Sequence, residues 1–218
     1  MTNVTIDALR DLAKRRLEAV DDGEALAPLE RSLIAVGLAA SVTSLDPSAI
    51  DRAISDAFAA GASVDQIQEI VTLISALGVH SLMATSATIA RLAVGTGWNP
   101  AKRLDNRQAA LWDKYVGDDP YWATFRQAMP DFLESLIRLS PDQFEAFFTY
   151  CQLPWKSNAV RARTKELVAL ACDATPAHRF RPGFLLHLDN ALAIGVGRRA
   201  IMETLAMAAD APAHPGFA

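Results

Sequence analysis

Cysteine is nearly missing from this chain: Cys151 and Cys172 are the two thiols in 218 residues. Two cysteines make neither a disulfide framework nor a zinc site. A basic surplus is missing too. Lysine and arginine total 21 against 25 acidic residues, a formal net charge of −4 with a pI near 5.6. Phosphate neutralisation needs a basic face, so this balance argues against a nucleic-acid partner. No uninterrupted apolar run reaches membrane-spanning length, since Ile67–Met83 is broken by Gln68, Glu69 and His80. The first twenty residues, MTNVTIDALRDLAKRRLEAV, carry charges in their first turns and lack the apolar core of a signal peptide. Among the four histidines no HxH or HxxxH pair preorganises a metal site. A phosphate-cradling loop is missing as well: IGVGRR (194–199) follows helical rather than strand periodicity, so it is not a dinucleotide fingerprint. These absences together predict a soluble, cytoplasmic protein with no metal site, no dinucleotide fingerprint, and neither a nucleic-acid nor a membrane partner.

What is present is apolar and helical. Hydrophobic residues make up 51% of the chain, charged residues 21%, and the mean hydropathy is +0.13. That suffices for one ordinary domain or two small ones, with apolar surface left over for contacts between subunits. The periodicity is helical almost everywhere, and no alternating strand pattern occurs. A charged amphipathic helix is predicted over 5–20, and an apolar-striped one over 28–44. Asp46-Pro47 puts a cap before a first-turn proline and opens a helix running to Gly61. Ser63-x-x-Gln66 reads as a capping box opening one long apolar helix to about Leu92. The turn-rich VGTGWNP (94–100) follows, then short helices at 106–116, 120–128, 130–139 and 141–151. Further helices are expected at about 157–173, 183–194 and 198–209, with a frayed tail, PAHPGFA (212–218).

A repeat runs through this pattern. DRAISDAFAAGASVDQIQEIVT (51–72) aligns without a gap on LLHLDNALAIGVGRRAIMETLA (185–206). Ala57 falls on Ala191, Gly61 on Gly195, Ile67 on Ile201 and Glu69 on Glu203, each 134 positions apart. Leu33/Leu167, Ala35/Ala169 and Ala40/Ala174 extend the match at the same offset. The repeated unit is helix, helix, glycine turn, helix, and is too small to bury much apolar surface alone; duplication supplies its partner. The predicted division is an N-terminal helix (1–27), a first repeat unit (28–95), linking helices (96–153) and a second repeat unit (154–218).

The second copy carries Lys165-Glu166-Leu167, His187 followed by Asn190-Ala191-Leu192, then Gly195 and Ile201-Met202-Glu203. In this it resembles the carboxymuconolactone decarboxylase and alkylhydroperoxidase D-like superfamily, and the first copy looks like the same domain with its polar positions lost. The resemblance implies an all-α fold with two tandem three-helix units, assembled as a homo-oligomer around an axis, most simply a trimer forming a pseudo-hexamer. Peroxidase members use a Cys-x-x-Cys pair just before the histidine; here those positions are Phe180 and Gly183. Thiol chemistry needs a thiolate and a resolving partner, so that branch is disfavoured. The decarboxylase branch needs no cofactor. It needs a cation to hold a carboxylate, an electrophile near a developing oxyanion, and a general acid.

The candidate catalytic residues are His187, Glu166 and His178, with Arg179, Arg181, His80 and Trp155 as candidate substrate-binding groups. His187 lies among Leu185, Leu186 and Leu188, the setting of a core histidine, yet falls on the superfamily's active-site position. Glu166 is either its partner or a first-turn carboxylate favoured by the helix dipole. His178, Arg179 and Arg181 share the link ATPAHRFRPG, which suits an anion or is simply a solvated basic loop. His80 reads as a core histidine or as a contributor to a shared pocket. Trp155 reads as an apolar wall or as core packing. Glu69 and Glu203, equivalent in the two copies, read as dipole partners or inter-repeat salt bridges. The expected activity is a cofactor-independent lyase or isomerase acting on a small, anionic, carboxylated lactone or related acid. A non-catalytic small-molecule binder or assembly protein is the alternative, with a thiol peroxidase behind it.

Overall fold

The computed structural model describes residues 4–216; Met1–Asn3 and the tail residues Phe217 and Ala218 lie outside the described residues. Among the described residues there is no strand, and the fold is all-helical. Local chemistry starts most of the helices where the sequence predicts. Thr5 caps α1 (Ile6–Arg16) by accepting the Ala8 amide at 3.1 Å, and Lys14, Arg15 and Arg16 close it against the negative end of the dipole. Pro28 opens α2 (Pro28–Ala40), with Glu30 reaching back to the Ala27 amide at 3.1 Å. Asp46 caps α3 (Pro47–Ala59) through the Ala49 amide at 2.9 Å. Ser63 and Gln66 satisfy each other's amides at the start of α4 (Val64–Ser75).

The single long helix expected over 63–92 does not form. The ladder tightens into a 3₁₀ turn at Ala76–Val79 and restarts as α5 (His80–Ala93). Gly78 sits in that turn, where a residue without a side chain weakens an α-helix interior by about 1 kcal/mol relative to alanine. The helical run Val64–Thr96 is nonetheless long and apolar enough to cross a membrane by length and composition, contrary to the sequence expectation. Its first part is a core helix that buries Glu69 with Ile67, Ile70, Leu73 and Ile74. Next come α6 (Asn106–Tyr115), α7 (Pro120–Ala128), α8 (Phe132–Leu139), α9 (Pro141–Cys151) and the single turn α10 (Leu153–Lys156). Helix α8 starts two residues later than expected because Asp131 takes a left-handed conformation, φ 61°. The chain ends with α11 (Ala162–Asp173), α12 (Arg181–Ala193) and α13 (Arg198–Ala209).

Two compact units result, one built from residues 1–77 with 154–218 and one from 78–153. The division falls inside the stretch 28–95, so α5 groups with α6–α9 rather than with α2–α4. The 78–153 unit packs around an aromatic cluster in which Tyr115 stacks on Phe148 at 4.9 Å and Trp122 meets the same ring edge-on at 4.8 Å.

The other unit holds both repeats. Helices α3 and α12, and likewise α4 and α13, begin and end 134 positions apart. The connecting turns match as well. Gly61 and Gly195 both take positive φ, 88° and 80°, and the amides after them close on Ala57 and Ala191 carbonyls at 2.9 Å. The two units of the repeat are cross-linked by equivalent ion pairs. Lys165 of the second copy binds Glu69 of the first at 2.5 Å, while Arg31 of the first binds Glu203 of the second at 2.7 Å. Each glutamate also accepts a backbone amide, Val160 to Glu69 at 3.2 Å and Leu26 to Glu203 at 3.1 Å. Where α2 crosses α11 the backbones come close: a methyl added at Gly37 would stand 2.7 Å from Val168 Cγ1.

Candidate active site

Helix α11 is the centre of its unit, and every residue from Thr164 to Asp173 is buried. A polar side chain on such a helix must find a partner or forfeit its hydration uncompensated. Lys165 finds Glu69 and the carbonyls of Pro154 (2.5 Å) and Ser157 (3.0 Å). Burial would raise the Glu69 pKa, but hydrogen bonds from Lys165 and Ser157 with the Lys165 charge prevail, and its carboxyl is held below the usual range. This is a charged, structural pair.

Glu166, the next residue, faces α12 instead. Its Oε2 lies 2.7 Å from His187 Nδ1, and Asn190 Nδ2 donates to its Oε1 at 3.2 Å. His187 and Asn190 are three apart and share a helix face, so both address the same carboxylate. Asp173 lies two turns beyond Glu166 on α11, hence on the same face. Its carboxylate rests against Gly183, one turn before His187, so closely that a methyl group there would collide with it. Helices α11 and α12 therefore run antiparallel, with Glu166 opposite His187 and Asp173 opposite Gly183. His178, on the link between them, places Nε2 3.5 Å from Asp173 Oδ1.

The electrostatics follow from this enclosure. Burial lowers the His187 pKa, but the hydrogen bond and charge of Glu166, with the charge of Asp173, outweigh it and leave the net shift upward. Asp173 is 1% exposed, and burial pushes its carboxyl up to about 7, the His187 charge opposing. Burial moves His178 down. The His187 side chain keeps 20% exposure against 8% for Glu166. With Nδ1 engaged by Glu166, Nε2 is the ring nitrogen left to meet a small molecule. An imidazole tethered at one nitrogen by a buried carboxylate can accept a proton at the other or, once charged, deliver one.

The three catalytic candidates thus fall in one part of one unit. Three of the binding candidates belong to the same unit. Arg179 is exposed, takes φ 49°, and donates to the Val4 carbonyl at 3.2 Å. Arg181 is exposed at the first position of α12. Trp155 is 42% exposed and so not core packing, with Lys165 Nζ 5.5 Å from its ring centre. His80 opens α5 in the 78–153 unit. Sequence reasoning missed Asp173. Its one trace in the sequence is an aspartate closing the apolar run LVALAC seven residues after Glu166, which a solvated helix-ending aspartate would leave equally.

In the first copy, Ser32 and Ala53 stand at the positions of Glu166 and His187, and Ala39 at that of Asp173. The Ser32 hydroxyl donates to its own helix, at Leu29 O 2.9 Å, so no polar cluster forms there. Neither thiol supports nucleophilic chemistry. Burial, and at Cys172 the Asp173 charge, raise both pKa values, that of Cys151 to about 11, so neither is a thiolate at neutral pH.

No protein-family model and no curated protein sequence matches the chain. A solved structure does. It is a Burkholderia xenovorans LB400 protein assigned as a gamma-carboxymuconolactone decarboxylase subunit, 28% identical, with a TM-score of 0.70 over 93% of this chain and 77% of that one.

Proposed function

We propose, from the premise that the chain belongs to the carboxymuconolactone decarboxylase-like superfamily, that it is a cofactor-independent carboxy-lyase or isomerase using His187 and Glu166 for proton transfer. The observation that carries this reading is the buried Glu166–His187 contact at 2.7 Å. A small lactone bearing a carboxylate is the substrate class. Breaking its C–C bond releases CO2 and leaves the electron pair on the ring as a dienolate. Imidazolium at His187 Nε2 delivers a proton to that carbanion-bearing carbon and becomes neutral; solvent then returns the proton. Glu166 keeps Nδ1–H in place and favours the charged ring that the step consumes. Asn190 fixes the carboxylate's other oxygen. Only the second copy acts, the first serving as a packing partner.

The same reading covers the setting. The substrate is a small anion, the assembly a homotrimer arranged as a pseudo-hexamer, and the compartment the cytoplasm, without nucleic acid or membrane. A screen of aromatic-degradation lactones with CO2 release as the readout tests it. Once a substrate is found, His187→Ala is expected to fold normally and lose about 10²–10⁴-fold in turnover. A variant that keeps near wild-type rate removes His187 from the mechanism.

A further inference from the structure

Asp173 is a buried ionisable group that this mechanism does not use. It closes α11 among Cys172, Ala174 and Thr175, all buried, and its carbonyl also receives the Phe180 amide at 2.9 Å. Within its own unit the charged and titratable groups nearest it are His178 from the link and His187 from α12, with Glu166 two turns back on its own helix. A glycine at 183 is what leaves room for the carboxyl, and Gly183 and His187 are four apart on one helix face. The carboxyl is thereby held against α12 one turn before His187.

We propose that Asp173 is a positioning residue that acts through His187: by taking up or giving up charge in step with the ring, it sets how firmly His187 holds its proton. This rests on His187 being the proton-transfer group. The imidazole thus answers to two carboxyls of different character, Glu166 bonded directly to Nδ1 and Asp173 acting across space. Burial brings Asp173 to about 7, while His187 is raised above its ordinary value in part by the Asp173 charge, so the protonation of each bears on the other. A protonated Asp173 leaves the ring easier to discharge. An ionised one holds the ring charged.

The test is a titration of the intact ¹³C,¹⁵N-labelled protein by NMR from pH 4 to 9, following the His187 ring and the Asp173 carboxyl carbon, with exposed His214 as the internal reference. The wild-type protein is expected to show an inflection near neutral pH at the Asp173 carboxyl that is mirrored in the His187 ring signals. Asp173→Asn is expected to abolish it and to weaken proton binding at His187 by about threefold or more, leaving His214 unchanged. A folded Asp173→Asn protein with an unaltered His187 curve overturns the proposal. If that variant does not fold, the wild-type curves decide: separate inflections, with Asp173 in the ordinary aspartate range, overturn it equally. Failure of the lyase reading shows elsewhere, as turnover surviving His187→Ala.

Discussion

The crossed ion pairs between the repeats give one contact twice in different surroundings, and so a prediction with its own control. Lys165 and Glu69 are each 4% exposed at the side chain, whereas Arg31 is 50% and Glu203 26% exposed. Replacing Lys165 with methionine keeps the volume but strands the Glu69 carboxylate in the core and removes the donor to the Pro154 and Ser157 carbonyls. Breaking a buried pair from one side costs about 3–5 kcal/mol. Arg31→Met interrupts the equivalent pair where water can take over, and an exposed pair is worth about 0–1 kcal/mol. Urea unfolding of both variants at pH 7 should therefore separate them by at least about 2 kcal/mol. A Lys165→Met/Glu69→Leu double variant should recover most of the loss, because nothing charged is then left buried. Equal, small losses for Lys165→Met and Arg31→Met would refute the reasoning, since the buried pair and its carbonyl contacts would then cost no more to break than the exposed one.

Other outcomes follow from the site and the packing. The His187 pKa is raised in the folded state, so its pairing with Glu166 contributes stability that is full below about pH 6.5 and is lost as pH rises through the raised value; Glu166→Gln should flatten that part of a stability-versus-pH curve. Asp173 works the opposite way: its carboxyl is raised to about 7, so ionising it costs stability between about pH 4 and 7, and Asp173→Asn should remove that decline in denaturant titrations at stepped pH. Cys172, wholly buried, should resist alkylation in the native protein and react only on unfolding, as followed by mass spectrometry. Light scattering at micromolar concentration should report a trimer; a stable monomer would remove the proposed assembly.

Features that depend on residues a few positions apart were legible in the sequence. Asp46-Pro47 and Ser63-x-x-Gln66 start their helices as read, because a cap and the amide it satisfies lie within one turn. The repeat was legible because turn glycines and small helix-facing residues must recur wherever the same backbone recurs, and Gly61 and Gly195 do so with matching positive φ. Glu166 and His187 were found together only through that repeat and the resemblance it exposed. The remainder depends on what lies across the fold. No local pattern distinguishes Asp173 from a solvated helix-ending aspartate; its raised pKa comes from α12 covering it at Gly183. Glu69 and Glu203 occupy equivalent positions, yet one is buried and the other half open, because different neighbours surround each copy. Arg179 sits beside His178 in the chain but turns to Val4. Tertiary structure decided these cases because desolvation and Coulomb energies are set by distance in space and by exclusion of water, and sequence spacing carries neither.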